Sequence, residues 1–230
     1  MKASELSVII PTLNESQNIE RLCTTIADLY KGIEIIVADD GSTDGTGDIV
    51  RKLSGSNPLI RLLDRGGEEV HGLTISISDA LEQIERPYFM VIDGDFQHPP
   101  ESIGDALKCF DKRVDLVIGR RDHVEEWPFT RKLISWGAQT LGWWSLLLRR
   151  RQRPSDLMSG FFGGDVKKIL ELIKTKDLLV DTGYKFLFDI LKAFPRDGTI
   201  CEFGYTFRNR EFGTSKIGKK QMLAFVRSLF

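Results

Sequence analysis

Ile33-Glu34-Ile35-Ile36-Val37-Ala38-Asp39-Asp40-Gly41-Ser42 is a short apolar run that stops at two acids, a glycine and a hydroxyl. Its length and its flanking turn residues predict a strand rather than a helix. Ser42-Thr43-Asp44 then offers capping side chains for a helix running through Leu53. The same unit precedes it. Leu6 to Ile10 is an apolar run closed by Pro11-Thr12, a second buried strand. A helix starting near Asn14 or Glu15 follows, with Ile19, Leu22, Cys23, Ile26 and Leu29 at helical spacing. Downstream, strands are expected at Ile60–Leu63, Tyr88–Ile92 and Asp115–Ile118. Helices are expected at Leu73–Ile84 and after Pro99-Pro100-Glu101, the latter with Ile103, Ala106, Leu107 and Phe110 on one face. Strands alternating with helices imply a doubly wound α/β sheet, mostly parallel, whose ligands bind beyond the carboxyl ends of the strands. Three of those ends carry charge: Asp39-Asp40, Asp93 with Asp95, and Arg120-Arg121.

Beyond residue 125 the pattern loosens. It predicts helices near 130–148, 165–174 and 183–194, a turn at Ser159-Gly160, a strand at 199–207, a polar loop to Lys220 and a closing helix to Phe230. The length of 230 residues fits one domain, with halves at about 1–125 and 126–230. A net charge of −1 excludes a global basic field for nucleic acid. The N-terminus has no signal-peptide core, and no run reaches the roughly 20 apolar residues of a membrane span. Three cysteines, Cys23, Cys109 and Cys201, lie far apart with no Cys-x-x-Cys pair. That spacing argues against a disulfide framework or a zinc site; Cys23 and Cys109 sit on apolar helical faces, which suits buried thiols, and a reducing, cytoplasmic setting fits.

Asp93-Gly94-Asp95 places two carboxylates just past a buried strand. Unpaired they would repel, and a hard divalent cation, Mg²⁺ or Mn²⁺, would resolve the conflict. Gln97 adds a neutral oxygen, and Gly94 leaves room for a close approach. A capped turn with solvated acids is the plain alternative. Asp39-Asp40 can accept from a base or ribose, can be an ordinary strand-to-helix turn, or can be a phospho-acceptor. Arg120, Arg121, Arg210 and Lys216 are anion ligands by type, Arg210 and Lys216 in a loop able to close over a phosphate. Arg131-Lys132 precede sixteen uncharged residues, Leu133 to Leu148, and Arg149, Arg150, Arg151 and Arg153 follow. With Trp136, Trp143 and Trp144 inside it, this segment suits either a membrane surface or a buried helix with basic ends.

Five stretches carry a family likeness. Val8-Ile9-Ile10-Pro11-Thr12-Leu13-Asn14-Glu15, Val37 to Thr46 and Asp93 to Pro99 resemble glycosyltransferase family 2. Asp156-Leu157-Met158-Ser159-Gly160-Phe161-Phe162 and Arg210 with Gly213-Thr214-Ser215-Lys216 narrow the resemblance to the polyprenol-phosphate sugar synthases of the dolichol-phosphate mannose type. The resemblance implies a GT-A fold with C-terminal acceptor helices at a membrane interface. It implies a nucleotide-diphosphate sugar donor, GDP-mannose or UDP-glucose, and a polyprenyl phosphate acceptor at the cytoplasmic face of a membrane.

Position by position, it implies donor contacts from Pro11, Leu13, Glu15, Ala38, Asp39, Asp40, Asp93, Gly94, Asp95, Arg121, Arg210 and Lys216. Asp95 and Gln97 would hold the metal. Arg121, Arg131 and Ser135 would meet the lipid phosphate, and Asp93, Asp95 and Arg121 would form the catalytic set. Leu13 stands where a Tyr is usual, Gly94 replaces a common Ala, and His71-Gly72-Leu73-Thr74-Ile75 lacks the usual second glycine. The Gln-x-x-Arg-Trp motif of processive polysaccharide synthases is absent. Inverting hexose transfer, mannose favoured, is therefore expected. The alternatives are a soluble transferase acting on a hydroxyl and a non-enzymatic receiver or nucleotide-sensing module.

Overall fold

The structure, a computed structural model, describes residues 1–125, 129–176, 185–210 and 212, and the side chains of all of these except 129–134 and 176. The first half is the expected alternation: β1 (Leu6–Thr12), α1 (Ile19–Leu29), β2 (Glu34–Asp39), α2 (Thr46–Ser56), β3 (Ile60–Asp64), α3 (Leu73–Glu82), β4 (Tyr88–Val91), α4 (Ile103–Phe110) and β5 (Leu116–Val124). The second half contributes α5 (Phe129–Leu148), β6 (Phe162–Asp165), α6 (Val166–Lys176), α7 (Phe186–Ala193) and β7 (Ile200–Phe207).

Seven strands form one sheet in the order β3-β2-β1-β4-β6-β5-β7. All pairings are parallel except those of β6, which runs antiparallel between β4 and β5. Alternation along β1 divides the core. Leu6, Val8 and Ile10 pack under α1, α2 and α4, with Leu22, Ile26, Val50 and Phe110. Ile9 faces the other way, with Ala80, Leu81, Phe186 and Phe188 of α3 and α7. Because β1 lies between β2 and β4, the sheet's topological switch falls between the carboxyl ends of β1 and β4, where a crevice is expected.

Four readings need correction. Strand β6 is not expected from the sequence, which gives only a turn at Ser159-Gly160 before the helix near 165, because Gly163-Gly164 is poor strand sequence. Packing explains it: a Cβ at Gly163 would lie 2.1 Å from the Phe89 carbonyl oxygen, so only glycine fits between β4 and β5. β5 does not end at Gly119 but continues through Arg120-Arg121 to Val124, held by its pairing with β7. Helix α1 begins at Ile19, later than Asn14 or Glu15. Finally, Cys109 and Cys201 are joined by a disulfide across 92 residues. Sequence spacing hides it because α4 and β7 become neighbours only in the folded chain. Cys23 is buried and free. The closing helix expected near Phe230 lies outside the described residues.

Candidate active site

The loops after β1 and β2 are latched together. Asn14 N–H donates to Ser42 Oγ (2.7 Å), Ser16 N–H to Asp44 Oδ2 (3.0 Å) and Glu15 N–H to Thr46 Oγ1 (2.9 Å). Thr43 N–H returns a bond to Asn14 Oδ1 at 2.8 Å, with Asn14 in the left-handed region at φ 55°. Asp44 also accepts from Thr46 N–H in a turn just ahead of α2, whose N-cap is Gly45 and carries no side-chain cap, so the capping expected of Ser42-Thr43-Asp44 is replaced by this turn. Asp39 and Asp40, on opposite faces of β2's end, do different work. Asp39 is buried and accepts from Ser42, and burial is the main reason its pKa is raised. Asp40 accepts from Gly72 N–H (2.7 Å), from the His71 ring (3.1 Å) and from Arg65. Arg65 is 2% exposed and also bonds Asp79, Ser76 and the Val70 carbonyl, so Asp40 holds the loop into α3. A polar cleft of about 360 Å³ opens on the Asp39 side, lined by Gly41, Ser42, Gly45 and Asp64 among others.

Glu15 and Asp95 meet across the switch point. The space beside Gly94 is filled by Thr12 and Glu15, whose carbons would lie 3.3 and 3.4 Å from a Cβ there. The glycine therefore admits those neighbours. Arg210 bridges the two acids, 2.7 Å from Asp95 and 3.7 Å from Glu15. Asp95 also accepts from Gln97 N–H at 3.0 Å. Gln97 in turn is clasped to Arg208: its carbonyl accepts from Arg208 N–H (3.0 Å), and its Nε2 donates to the Arg208 carbonyl (3.2 Å). Those two bonds bring the end of β7 onto the acidic motif.

The carboxyl of Asp95 is pushed up to about 6, first by burial and then by the charge of Asp93, with Arg210 opposing. Asp93 is also pushed up to about 6, by burial first, against the pull of Lys185, Arg210 and Arg121. Its side chain remains 38% exposed, so it faces the crevice rather than the core.

Behind the motif stands His98, 1% exposed, packed against Phe161, Tyr205 and Phe207. Its Nδ1 accepts from Asp93 N–H at 3.0 Å, which places the proton on Nε2. Burial lowers its pKa to about 4, so the ring is neutral near pH 7. Arg121 is held by Asp156 in a fork, Nε to Oδ2 at 2.7 Å and Nη2 to Oδ1 at 2.8 Å. Burial would raise the Asp156 carboxyl, but the Arg121 bonds and charge outweigh it and the net shift is downward. Arg120 points to the opposite face and pairs with Asp122 at 2.5 Å, away from this cluster. Lys185, just before α7, reaches the Met158 carbonyl at 3.4 Å and lies close enough to Asp93 to be the strongest attraction on it. Burial brings its own pKa down to about 8.

Sequence reasoning missed Arg65, Lys185 and the supporting role of His98. Only His98, inside a quoted motif, carried any signal. Of the remaining expected residues, Pro11 and Ala38 lie within β1 and β2, and Leu13 is 37% exposed at the rim. Ser135 sits on α5, half-buried. Arg131 is in α5 with its side chain outside the described residues, as is Lys216 altogether.

The donor chemistry around Asp95 suits a hard cation. Asp95 and the Gln97 amide offer oxygens only, and the positive charge now facing Asp95 is a guanidinium. Among the described residues no three His, Cys, Asp or Glu side chains form a metal-binding group. An ion here would therefore need further oxygens from a ligand and from water.

Fold and site together define a doubly wound α/β protein with a charged crevice at its switch point. The chain belongs to glycosyl transferase family 2, whose model matches residues 7–173. It is 33% identical to a dolichol-phosphate mannosyltransferase of Pyrococcus furiosus over 98% of its own length and 63% of that protein's. It is 30% identical to an undecaprenyl-phosphate mannosyltransferase of Micrococcus luteus over 91% of its own length and 86% of that protein's. The chain thus spans somewhat under two thirds of the archaeal relative. In fold it matches glucosyl-3-phosphoglycerate synthase of Mycobacterium tuberculosis, solved with Mn²⁺ and UDP, at a TM-score of 0.63 and 20% identity, covering 98% of this chain and 78% of that one. The architecture is GT-A.

Proposed function

We propose that this chain transfers a hexose, mannose favoured, from a nucleotide-diphosphate sugar to a polyprenyl phosphate, with inversion at the anomeric carbon. The observation that carries the reading is the Arg210 bridge between Glu15 and Asp95. It joins the β1 loop, which would face the donor, to the acidic motif, and it supports a role for Arg210 as the cation that meets the departing diphosphate. The names of the relatives supply the acceptor class and the sugar.

Asp95 and Gln97 would hold Mg²⁺ or Mn²⁺, which when bound would draw charge from the leaving diphosphate. Arg210 would then turn from Asp95 toward the phosphates, with Lys216 beside it. Asp93, half-buried in the crevice and fixed through its N–H by His98, would face the sugar. The Arg121–Asp156 fork would present the acceptor side, with Arg131 and Ser135 orienting the lipid phosphate. A phosphate monoester is largely ionised at neutral pH, its second pKa being about 6, so the acceptor needs positioning rather than a general base.

Lys185 belongs to the same cluster and would contact the sugar-phosphate beside Asp93. Lys185→Met is expected to lower kcat/KM by about 10- to 100-fold, the worth of one charged hydrogen bond, with partial recovery in Lys185→Arg. Unchanged kcat/KM would remove it from the site.

No helix among the described residues is long and apolar enough to cross a membrane. α5 instead exposes Trp136 (67%), Trp144 (60%) and Leu148 (79%) immediately before Arg149-Arg150-Arg151. This pattern fits a helix lying at the headgroup level of an anionic, cytoplasm-facing leaflet. Co-flotation with phosphatidylglycerol vesicles should be strong at low salt, weaker at high salt, and weaker in Trp136→Ala/Trp144→Ala. A chain that never floats would favour the soluble reading.

A further inference from the structure

We infer that Cys109 and Cys201 are a thiol–disulfide exchange site that fastens the edge strand β7 to α4. Four observations meet there. The Cα atoms are 5.7 Å apart, a separation that a disulfide spans without moving backbone. Cys109 is 5% exposed on α4, whereas Cys201 on β7 is only half-buried, so the two sulfurs differ in access. The Lys112 ammonium lies 3.9 Å from Cys201 Sγ, and a neighbouring cation favours the thiolate. And among the described residues β7 is an edge strand, paired in the sheet with β5 alone. At its far end it delivers Arg208 and Arg210 to Gln97 and Asp95. The bond therefore anchors the strand whose other end closes the crevice. This inference holds whatever sugar the enzyme moves.

The oxidant is a small disulfide such as oxidised glutathione. The Cys201 thiolate attacks one of its sulfurs and expels a glutathione thiolate. The Cys109 thiolate then attacks Cys201 Sγ and expels the second. The two protons lost by the cysteines pass to the two departing thiolates, and the two electrons go to the glutathione disulfide. A dithiol reductant reverses both steps. Cys201 is the entry sulfur because it is the accessible one and the one beside Lys112.

Folded protein is incubated with oxidised glutathione or with dithiothreitol, acid-quenched, denatured and labelled with a maleimide. Of the three cysteines, Cys23 alone should label after oxidation and all three after reduction. Reduction should lower the Tm by about 10–20 °C, given the long loop the bond closes. Cys23→Ser should keep that shift, and Cys201→Ser should lose it. In Cys109→Ser, glutathione should accumulate on Cys201, while Cys109 of Cys201→Ser stays unmodified as long as the protein is folded. Three labelled thiols after oxidised glutathione would overturn the inference, as would a reductant-dependent Tm that survives in Cys201→Ser. The wild-type labelling counts need no variant, so the test stands if Cys109→Ser is unstable.

Discussion

Asp95→Asn should cut sugar transfer severely while leaving the fold intact. The substitution keeps the size of the side chain, and an amide oxygen can still accept from Gln97 N–H. What it removes is the negative charge that faces Arg210 and would face a divalent cation. Because burial and Asp93 already push this carboxyl up, its ionised form is disfavoured in the folded chain, so its loss should not lower the Tm. Transfer from GDP-mannose to a short polyprenyl phosphate with Mn²⁺ should nevertheless fall by about a hundred- to a thousandfold, the range seen when a charge-stabilising group leaves an active site. Thermal protection by GDP-mannose with Mn²⁺ should weaken in parallel. Full wild-type transfer in a strong chelator would defeat the metal-assisted mechanism, and UDP-glucose outperforming GDP-mannose would reassign the donor.

The second large effect is expected at Asp156. Asp156→Ala leaves the Arg121 guanidinium, 15% exposed, without its carboxylate fork. Breaking one side of a buried ion pair costs about 3–5 kcal/mol, because the remaining charge stays desolvated. Chemical denaturation should show that loss, and adding Arg121→Met should recover much of it, as a double-mutant cycle would reveal. The pH dependence has a fixed sign. The Asp156 pKa is lowered in the folded state, so its contribution is complete above the unfolded value of about 3.9 and disappears as pH falls through the folded value. The stability gap between wild type and Asp156→Asn should therefore narrow below about pH 4. A gap constant down to pH 2 would mean that the fork is not what holds this loop.

Much of the candidate site was legible residue by residue. Asp93-Gly94-Asp95 follows an apolar strand, and two neighbouring carboxylates in that place ask for a cation. Arg65 was not legible, since an arginine between Asp64 and Gly66 reads as loop. Its burial exists only because Asp40, from the loop after β2, and Asp79 and Ser76, from α3, converge on it. Lys185 was equally hidden: its meaning is set by Asp93 and Met158, far away in sequence. The role given to Gly94 changed because the room it makes is filled by Thr12 and Glu15. Arg120 and Arg121 looked equivalent until β5 was seen to continue through them, which sends their side chains to opposite faces.

Local pattern by itself determined the α/β alternation, the placing of charge at strand ends and the family motifs, because these depend on periodicity and on neighbours a few residues apart. The antiparallel insertion of β6, the Arg65–Asp40 tie, the Cys109–Cys201 bond and the Arg210 bridge to Glu15 and Asp95 were decided by tertiary structure alone. Each joins segments whose meeting is set by how helices and strands pack on the sheet, and no local spacing encodes that.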